Sequence, residues 1–344
     1  MDNIKIVNWF LTRRCNLRCS YCGIVRDYKT KPTQYPDMKY YAANEMTTEF
    51  IINVLELMYR HNPKCFHVFY GGEPMLRKDL AEIIKYCNDT GIIYTIITNN
   101  TPEVQPMIED LYMKTNILGL TSSVDPVPVV REGEDSDFKS SEGFKRLVEQ
   151  KKYINDVVAE ITVTSANIHK LYETVRILSH NGIYSSITVI DYQKTPYYDF
   201  SNIRDLGLMV YPDTPTWNQF MLIQDDPMID VHMKENLLDI LYNSLPSEYD
   251  CKLEEDLHNI TIDADGSVRL CLRIRGTMIT NIKATNLFMK NPNGDIVLNP
   301  IVKTFMSKDK ENYCRLCNWT CQMMSSIITK DENKTDDLIH TDRR

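Results

Sequence analysis

Three cysteines near the start of the chain constrain its fold more than any other feature. Cys15, Cys19 and Cys22 have the spacing C-x₃-C-x₂-C and directly follow an apolar run, residues 4–11. Three thiolates on one short loop can hold three corners of a cubane iron–sulfur cluster and leave the fourth iron open to a small ligand. Two alternatives stay open: a zinc knuckle, which needs four ligands and usually has C-x₂-C pairs, and three thiols incidental to a core.

Length, charge and cysteine usage limit the class of protein. A chain of 344 residues can form one large domain and a smaller one. Ten clustered cysteines without a signal-peptide pattern indicate a reducing, cytoplasmic location, where thiols serve as ligands. No apolar run approaches the roughly 20 residues that a membrane span needs. The formal net charge of −8 argues against a nucleic-acid partner.

Short apolar runs alternate with helical patterns up to about residue 190, which predicts repeated βα units and a parallel sheet. The predicted strands are residues 4–11, 66–70, 92–98, 117–124, 157–163 and 183–190. Between them, apolar residues at helical spacing predict helices that each pack one stripe on the sheet. One such stripe is Val104, Met107, Ile108 and Leu111. Six units are too few to close an eight-stranded barrel, so we predict an α/β fold, a partial (β/α)6 TIM-like barrel with functional groups at the carboxyl ends of its strands.

A second motif follows the second predicted strand. Gly71, Gly72, Glu73 and Pro74 lie about fifty residues after the cysteine motif. Paired glycines let the backbone approach a ligand closely, and Glu73 or the backbone carbonyls can accept from an ammonium group. The two motifs together resemble those of radical S-adenosylmethionine (SAM) enzymes, in which GGEP binds the methionyl amine. The resemblance covers roughly residues 4–190.

The resemblance implies a cofactor chemistry and further ligand contacts. It implies reductive cleavage of SAM to methionine and a 5′-deoxyadenosyl radical, which removes a hydrogen atom from the substrate. It places Tyr21 near the adenine. Ser122 or Ser123, at the end of the fourth strand, would meet the ribose or carboxylate of SAM, and Thr164 and Asn167, at the end of the fifth, could also reach it. Polar turns are an equally ordinary explanation for these strand ends.

A second group of cysteines lies toward the C-terminus. It contains Cys251, Cys271, Cys314 and Cys317, the last two with the spacing C-x₂-C. Alternating residues around Asp265-Gly266 predict a hairpin, and a hairpin followed by C-x₂-C resembles the twitch domain, the shortened relative of the SPASM domain. These four match the ligands of one twitch [4Fe–4S] cluster, as in 2-deoxy-scyllo-inosamine dehydrogenase, although four thiolates also suit zinc. Cys321 is additional: a fifth ligand, a reactive thiol near the substrate, or a buried thiol.

These patterns divide the chain into four parts. We expect a partial-barrel core at 1–190, a connector at 191–250, a twitch domain at 251–328 and a disordered polar tail at 329–344. The implied cofactors are SAM and two [4Fe–4S] clusters. The implied partners are a small-molecule or peptide substrate and an external electron donor such as flavodoxin or ferredoxin. Only about three residues precede the first strand, so no leader-peptide-binding domain is expected there.

The expected reaction is an oxidation. A cluster with four cysteine ligands has no open iron for substrate, so it would act as an electron acceptor or relay. This favours an oxidoreductase that dehydrogenates its substrate. The alternatives are peptide epimerisation or thioether formation, in which Cys321 could return a hydrogen atom, and a binding or structural metalloprotein. Asp191 and Tyr192, after the sixth strand, are further catalytic candidates, although a solvated loop is their commoner setting.

Overall fold

The computed structural model describes residues 4–17, 19, 22, 44–124, 138–139, 141–189, 218–231, 259–269 and 284–300. The strands are β1 Ile6–Thr12, β2 Phe66–Gly71, β3 Ile93–Thr98, β4 Gly119–Val124, β5 Asp156–Val163, β6 Tyr184–Val189, β7 Asn259–Ile262, β8 Val268–Arg269, β9 Phe288–Lys290 and β10 Ile296–Leu298. The helices are α1 Thr48–His61, α2 Leu80–Thr90, α3 Gln105–Thr115, α4 Glu142–Gln150, α5 Leu171–His180 and α6 Asn218–Asp225.

One sheet organises these elements. Its strand order is β6-β5-β4-β3-β2-β1-β7-β8. All neighbours from β6 to β7 are parallel, and β8 is antiparallel to β7. The sheet is a half-barrel with helices on its outer side, so the predicted α/β partial barrel is confirmed. Because the strands are parallel, their carboxyl ends share one edge, where ligands collect in such folds.

The helices form where the apolar stripes predicted them. In α1 the buried residues are Ile51, Val54, Leu55 and Met58. Thr47 begins this helix, because its side chain accepts from the amide of Phe50. Burying a side chain such as Leu55 contributes about 1.5–3 kcal/mol, so four of them anchor the helix on the sheet.

The apolar periodicity was wrong in one stripe and missed two helices. Met107 belongs to the predicted stripe of α3 but is 41% exposed. Val104, Ile108 and Leu111 already cover the sheet at this point, and all three are buried. The missed helices are α4 and α6. The sequence gives little sign of α4 because its buried residues are Gly143, Leu147 and Gln150, and only one of these is a large apolar residue.

The hairpin predicted around Asp265-Gly266 is present and extends the main sheet. Its first strand, β7, pairs with β1, with Ile6 opposite Asn259 and Trp9 opposite Ile262. Gly266 has φ +80° at the turn, a conformation that favours glycine. The division of the chain into four parts stays a prediction.

None of the described helices is long and apolar enough to span a lipid bilayer.

Candidate active site

The cysteine motif lies directly beyond the carboxyl end of β1. Cys15, Cys19 and Cys22 are all partly buried. The loop is closed by a bond from the amide of Cys22 to the carbonyl of Cys19, 3.1 Å long. The amide of Leu17 donates to the sulfur of Cys15 over 3.4 Å, and Asn99 Nδ2 donates to the same sulfur over 3.8 Å. Donors of this kind stabilise a thiolate and tune the potential of a cluster bound to it.

The surroundings of Cys15 favour the neutral thiol when no metal is bound. Burial raises its pKa, and the negative charges of Cys22 and Glu73 raise it further. The amide of Leu17 and the side chain of Asn99 act in the opposite direction. A coordinated metal deprotonates a thiol outright, so the site is built to become anionic only on loading.

The donor set fits a cubane cluster better than a single ion. Among the described residues, no three His, Cys, Asp or Glu side chains are grouped closely enough to hold one metal ion. A cubane makes a different demand, since each thiolate binds a different iron. Three partly buried thiols with N–H donors on Cys15 fit three of those irons.

The backbone of the second motif packs closely against residues 12–14, directly before the cysteine loop. The amide of Gly72 donates to the carbonyl of Thr12 over 2.7 Å, and the amide of Glu73 donates to the carbonyl of Arg14 over 2.8 Å. A Cβ added to Gly71 or Gly72 would lie closer than 3.0 Å to those same carbonyl oxygens. Gly71 also has φ +138°. Glycine is therefore required here by the approach of two backbones.

Glu73 is fully buried and joins two strand ends. Its Oε1 accepts from the amide of Met75 and from the hydroxyl of Thr98, each over 3.0 Å. Its Oε2 accepts from the amide of Asn99 over 2.7 Å. The carboxylate thus caps the short 3₁₀ turn that Pro74 begins and ties the end of β2 to the end of β3. Its predicted contact with the amine of SAM stays a prediction.

The segment after β3 contacts the cysteine loop, a role that the sequence interpretation missed. Asn99 Nδ2 donates to Asn16 Oδ1 over 2.7 Å, and Asn16 Nδ2 donates to Thr101 Oγ1 over 2.9 Å. Asn100, next in the chain, has φ +52° and is buried. The available signal was a Thr-Asn-Asn run at a strand's carboxyl end, which also reads as a turn.

The two candidate serines of β4 face opposite sides of the sheet. Ser122 is fully buried toward the helices, where it donates to Gln150 Oε1 over 3.2 Å. Gln150 in turn donates to Asn100 Oδ1 over 2.7 Å. Ser123 points to the concave side because side chains alternate along a strand, and it is partly exposed. Of the two, Ser123 is on the side where a ligand can bind.

At the end of β5, Asn167 makes two hydrogen bonds to the loop backbone, and Thr164 has a hydroxyl without a partner among the described residues. Asn167 Oδ1 accepts from the amide of Thr164 over 2.8 Å, and its Nδ2 donates to the carbonyl of Thr162 over 2.9 Å. Thr164 Oγ1 is buried and has no hydrogen-bond partner among the described residues, and the same is true of Asn100 Nδ2. Buried polar atoms are normally paired, so these two atoms at the carboxyl edge fit a ligand with polar groups.

A family model described as the Radical SAM superfamily matches residues 9–114. This range contains the three cysteines of the loop and the GGEP motif that packs against it. This part of the chain belongs to the radical SAM superfamily.

Proteins similar to this chain carry out different reactions. A SAM-dependent nucleotide dehydratase from Selenomonas ruminantium is 27% identical over 144 residues, which are 41% of this chain and 47% of that protein. The radical SAM cyclopropyl synthase TigE from Paramaledivibacter caminithermalis is 25% identical over 232 residues, 64% of this chain and 44% of TigE. The matches span about half or less of the length of these curated relatives.

A solved structure shows the same fold. Streptococcus suis SuiB bound to its precursor peptide SuiA aligns with a TM-score of 0.55 at 14% identity. The alignment covers 83% of this chain and 63% of the SuiB chain. At this identity the likeness supports the fold and leaves the substrate open.

Several radical SAM site predictions fall outside the described residues. They are Tyr21, Asp191, Tyr192 and the C-terminal cysteines Cys251, Cys271, Cys314, Cys317 and Cys321. Two other cysteines, Cys65 and Cys87, are buried in the core, and burial raises the pKa of both thiols, that of Cys87 to about 12.

Proposed function

We propose that this protein is a radical SAM enzyme that uses SAM to remove a hydrogen atom from its substrate. The observation that carries the proposal is the packing of GGEP against the loop of Cys15, Cys19 and Cys22, in a range that matches the superfamily. When bound, a [4Fe–4S] cluster and SAM would supply reductive cleavage of SAM and the resulting carbon radical, with electrons from a donor such as flavodoxin or ferredoxin. The protein supplies binding, orientation and exclusion of side reactions.

Each described residue of the site has a defined part in this proposal. Cys15, Cys19 and Cys22 would hold three irons of the cluster, and the Asn99 side chain would donate to the sulfur of Cys15. Glu73 keeps Asn99 in place through its backbone amide. Thr164 Oγ1 is available to a polar group of SAM at the same edge.

An oxidative outcome is the favoured reaction. After one hydrogen atom is lost, completing a two-electron oxidation needs a proton acceptor and an electron acceptor. Cys251, Cys271, Cys314 and Cys317 would hold an auxiliary [4Fe–4S] cluster with no open iron, suited to accept the electron. In support, β8 runs antiparallel to β7, and Cys271 follows two residues after its end. In the sequence, Cys251 comes eight residues before β7, and β7 pairs with β1, the strand that leads to Cys15.

A second candidate function is the modification of a peptide, for example by epimerisation or thioether formation. One comparison favours it: SuiB, whose fold is similar, was crystallised with a precursor peptide. In an epimerase, a nearby thiol such as Cys321 would give a hydrogen atom to a carbon radical.

The central test is the formation of 5′-deoxyadenosine from SAM. Anaerobically reconstituted protein with dithionite should form it slowly even without substrate. Replacing Cys15, Cys19 and Cys22 by Ala should abolish product formation, whereas Cys87→Ala, a buried core thiol, should retain it. A wild-type protein that holds iron and binds SAM but forms no 5′-deoxyadenosine would instead support a binding or structural metalloprotein.

Cys321 separates the two candidate functions. With Cys321→Ala, a dehydrogenase keeps turning over, while an epimerase that uses this thiol stalls after hydrogen abstraction. The readout is the ratio of finished product to 5′-deoxyadenosine, measured once the substrate is known.

A further inference from the structure

The concave side of the half-barrel is divided into an apolar end and a hydroxyl-rich end. On β5, Val157, Ala159 and Ile161 face the helices and are at most 1% exposed. The residues between them face the concave side and are partly exposed. At the β1–β2 end this side carries Phe10 in tilted contact with Tyr70, with ring centroids 4.5 Å apart and an interplanar angle of 43°. At the β4–β6 end it carries the hydroxyl side chains of Ser123, Ser186 and Thr188 around a carboxylate.

Glu160 is that carboxylate, and it lies in the middle of the hydroxyl-rich end. In the sheet register it is opposite Ser123 on β4 and opposite Ser186 on β6. Thr188 Oγ1 donates to Glu160 Oε1 over 2.7 Å, and the Ser186 side chain donates to the same carboxylate. Neutral hydroxyls therefore hold the carboxylate in place without balancing its charge.

Among the described residues, Glu160 lacks a basic partner of the kind that Asp263 and Asp79 have. Asp263 pairs with Arg13, and Asp79 pairs with Arg77. Within the described part of the chain, no Lys, Arg or His lies within ion-pair distance of Glu160. Burial raises the pKa of Glu160, and the bonds from Thr188 and Ser186 lower it without cancelling the effect. A carboxylate in such a setting gains most from a ligand that brings a positive charge.

A purely structural role accounts for this residue less well. Bridging β5 and β6 needs only a hydrogen-bond acceptor, which Gln or Thr supplies without the cost of burying a charge. The carboxylate also faces the concave side, away from the layer of described helices on the outer side of the sheet. Its position and its charge together point to a ligand.

We propose that Glu160, held by Ser186 and Thr188, binds a primary ammonium group of the substrate on the concave face of the half-barrel. Calling the ligand a substrate rests on the proposed radical SAM function. The ammonium would donate to the carboxylate oxygen that Thr188 does not occupy, with the hydroxyl of Ser123 as a neighbouring acceptor. Two substrate sources share this chemistry: a lysine side chain of a peptide, and an amino group on a sugar or cyclitol.

The test measures equilibrium binding to the reconstituted protein with SAM, without dithionite. Two probe pairs differ only in the amine: a lysine-containing tripeptide against its norleucine analogue, and glucosamine against glucose. In wild type, the amine of at least one pair should bind about tenfold more tightly than its neutral analogue, equivalent to about 1.4 kcal/mol. The pair that shows the preference identifies the peptide or the aminosugar source.

Three variants determine whether Glu160 causes the preference. Glu160→Gln keeps the shape and an acceptor for the hydroxyls, and it should reduce the preference to less than twofold. Thr188→Val keeps the carboxylate but removes one of its two hydroxyl donors, so it should weaken the preference without abolishing it, whereas the control Glu173→Gln, which removes an exposed carboxylate on α5, should leave the preference unchanged. Equal binding of amine and neutral probes to wild type, or a preference that survives in Glu160→Gln, would overturn the proposal. The proposed function fails separately, through loss of 5′-deoxyadenosine formation, because this binding needs no radical chemistry.

Discussion

Arg13 and Asp263 form a buried ion pair that connects the cysteine loop to the C-terminal hairpin. Arg13 Nε donates to Asp263 Oδ1 over 3.0 Å, a second contact joins Arg13 Nη2 to Oδ2, and both side chains are at most 7% exposed. Arg13 is two residues before Cys15, and Asp263 begins the turn between β7 and β8. The pair therefore links two segments 250 residues apart that lead toward different cysteine groups.

We expect Asp263→Ala to destabilise the fold by about 3–5 kcal/mol, because it leaves the Arg13 guanidinium buried without a counter-charge. The double variant Arg13→Met with Asp263→Ala should lose much less, since it removes both charges. Unfolding midpoints of the wild type, the two single variants and the double variant measure the coupling. If the stability losses of the two single variants sum to the loss of the double variant, the two side chains are not energetically coupled.

The parallel half-barrel was predictable because its signals are local. Each apolar helix stripe and each apolar strand run lies within about a dozen residues of sequence. The spacing of the apolar residues directly predicts which side chains are buried. The pairing of β7 with β1 was not predictable in this way, since it joins residues more than 250 positions apart and depends on which edge of the sheet is open. The hairpin itself was predicted because its Asp-Gly turn is a local signal.

The candidate site was predictable in its location and less so in its contacts. Spacing located the GGEP motif at a strand end, but it gave no sign that Glu73 accepts from Thr98 and Asn99. The alternation of side chains along β4 does distinguish the two serines. Ser122 is on the same side of the strand as the buried Leu120 and Val124, and Ser123 is on the other side. The same alternation puts Glu160 out of phase with the buried side of β5. That signal was present in the sequence and was not used.

Gly72→Ala should displace the GGEP turn from the cysteine loop. Its added Cβ would meet the carbonyl of Arg14, a backbone atom that cannot move aside cheaply. We expect the free energy of unfolding to fall by about 3 kcal/mol or more. The variant should also lose iron from the first cluster. The matched control is Gly182→Ala, where φ is +66° but nothing lies within 4 Å of the new Cβ. The control should cost about 1–2 kcal/mol and keep its iron, and equal iron loss in both variants would contradict the steric argument.

Glu73→Gln should destabilise the protein by about 1–3 kcal/mol, because one carboxylate oxygen becomes an amide that cannot accept from the backbone of Asn99. Glu82→Gln, an exposed change on α2, is the control. SAM affinity measured alongside separates two roles of Glu73. A fall in affinity with unchanged stability would indicate direct contact with the amine of SAM, and a joint fall in stability, iron content and affinity would indicate a scaffold.

His67 should make the stability of the fold depend on pH below neutrality. Trp9 Nε1 donates to His67 Nδ1 over 3.0 Å, and burial lowers the pKa of His67 to about 3 from its usual 6.5. Between these two values the unfolded chain binds more protons than the folded one, so stability is full above pH 6.5 and falls as the pH drops. From pH 7 to pH 5 this residue should cost about 2 kcal/mol.

Thermal unfolding midpoints at several pH values measure this dependence. His67→Gln should flatten the acid side of the profile, because it removes the titrating group and keeps an acceptor for Trp9. His180→Gln, at the exposed end of α5, should leave the profile unchanged. A profile equally steep in His67→Gln would assign the acid sensitivity to other groups.

The iron content should reveal two separate cysteine groups. Reconstituted protein should hold about eight iron atoms per chain, as two cubanes. Replacing the first group by Ala should leave about four, and so should replacing the second; the groups are Cys15, Cys19 and Cys22, and Cys251, Cys271, Cys314 and Cys317. Cys65→Ala should keep all eight because its thiol is buried in the core and belongs to neither group. Zinc in place of the four irons left after loss of the first group would show that the C-terminal cysteines form a structural zinc site, and would remove the electron acceptor from the proposed oxidation.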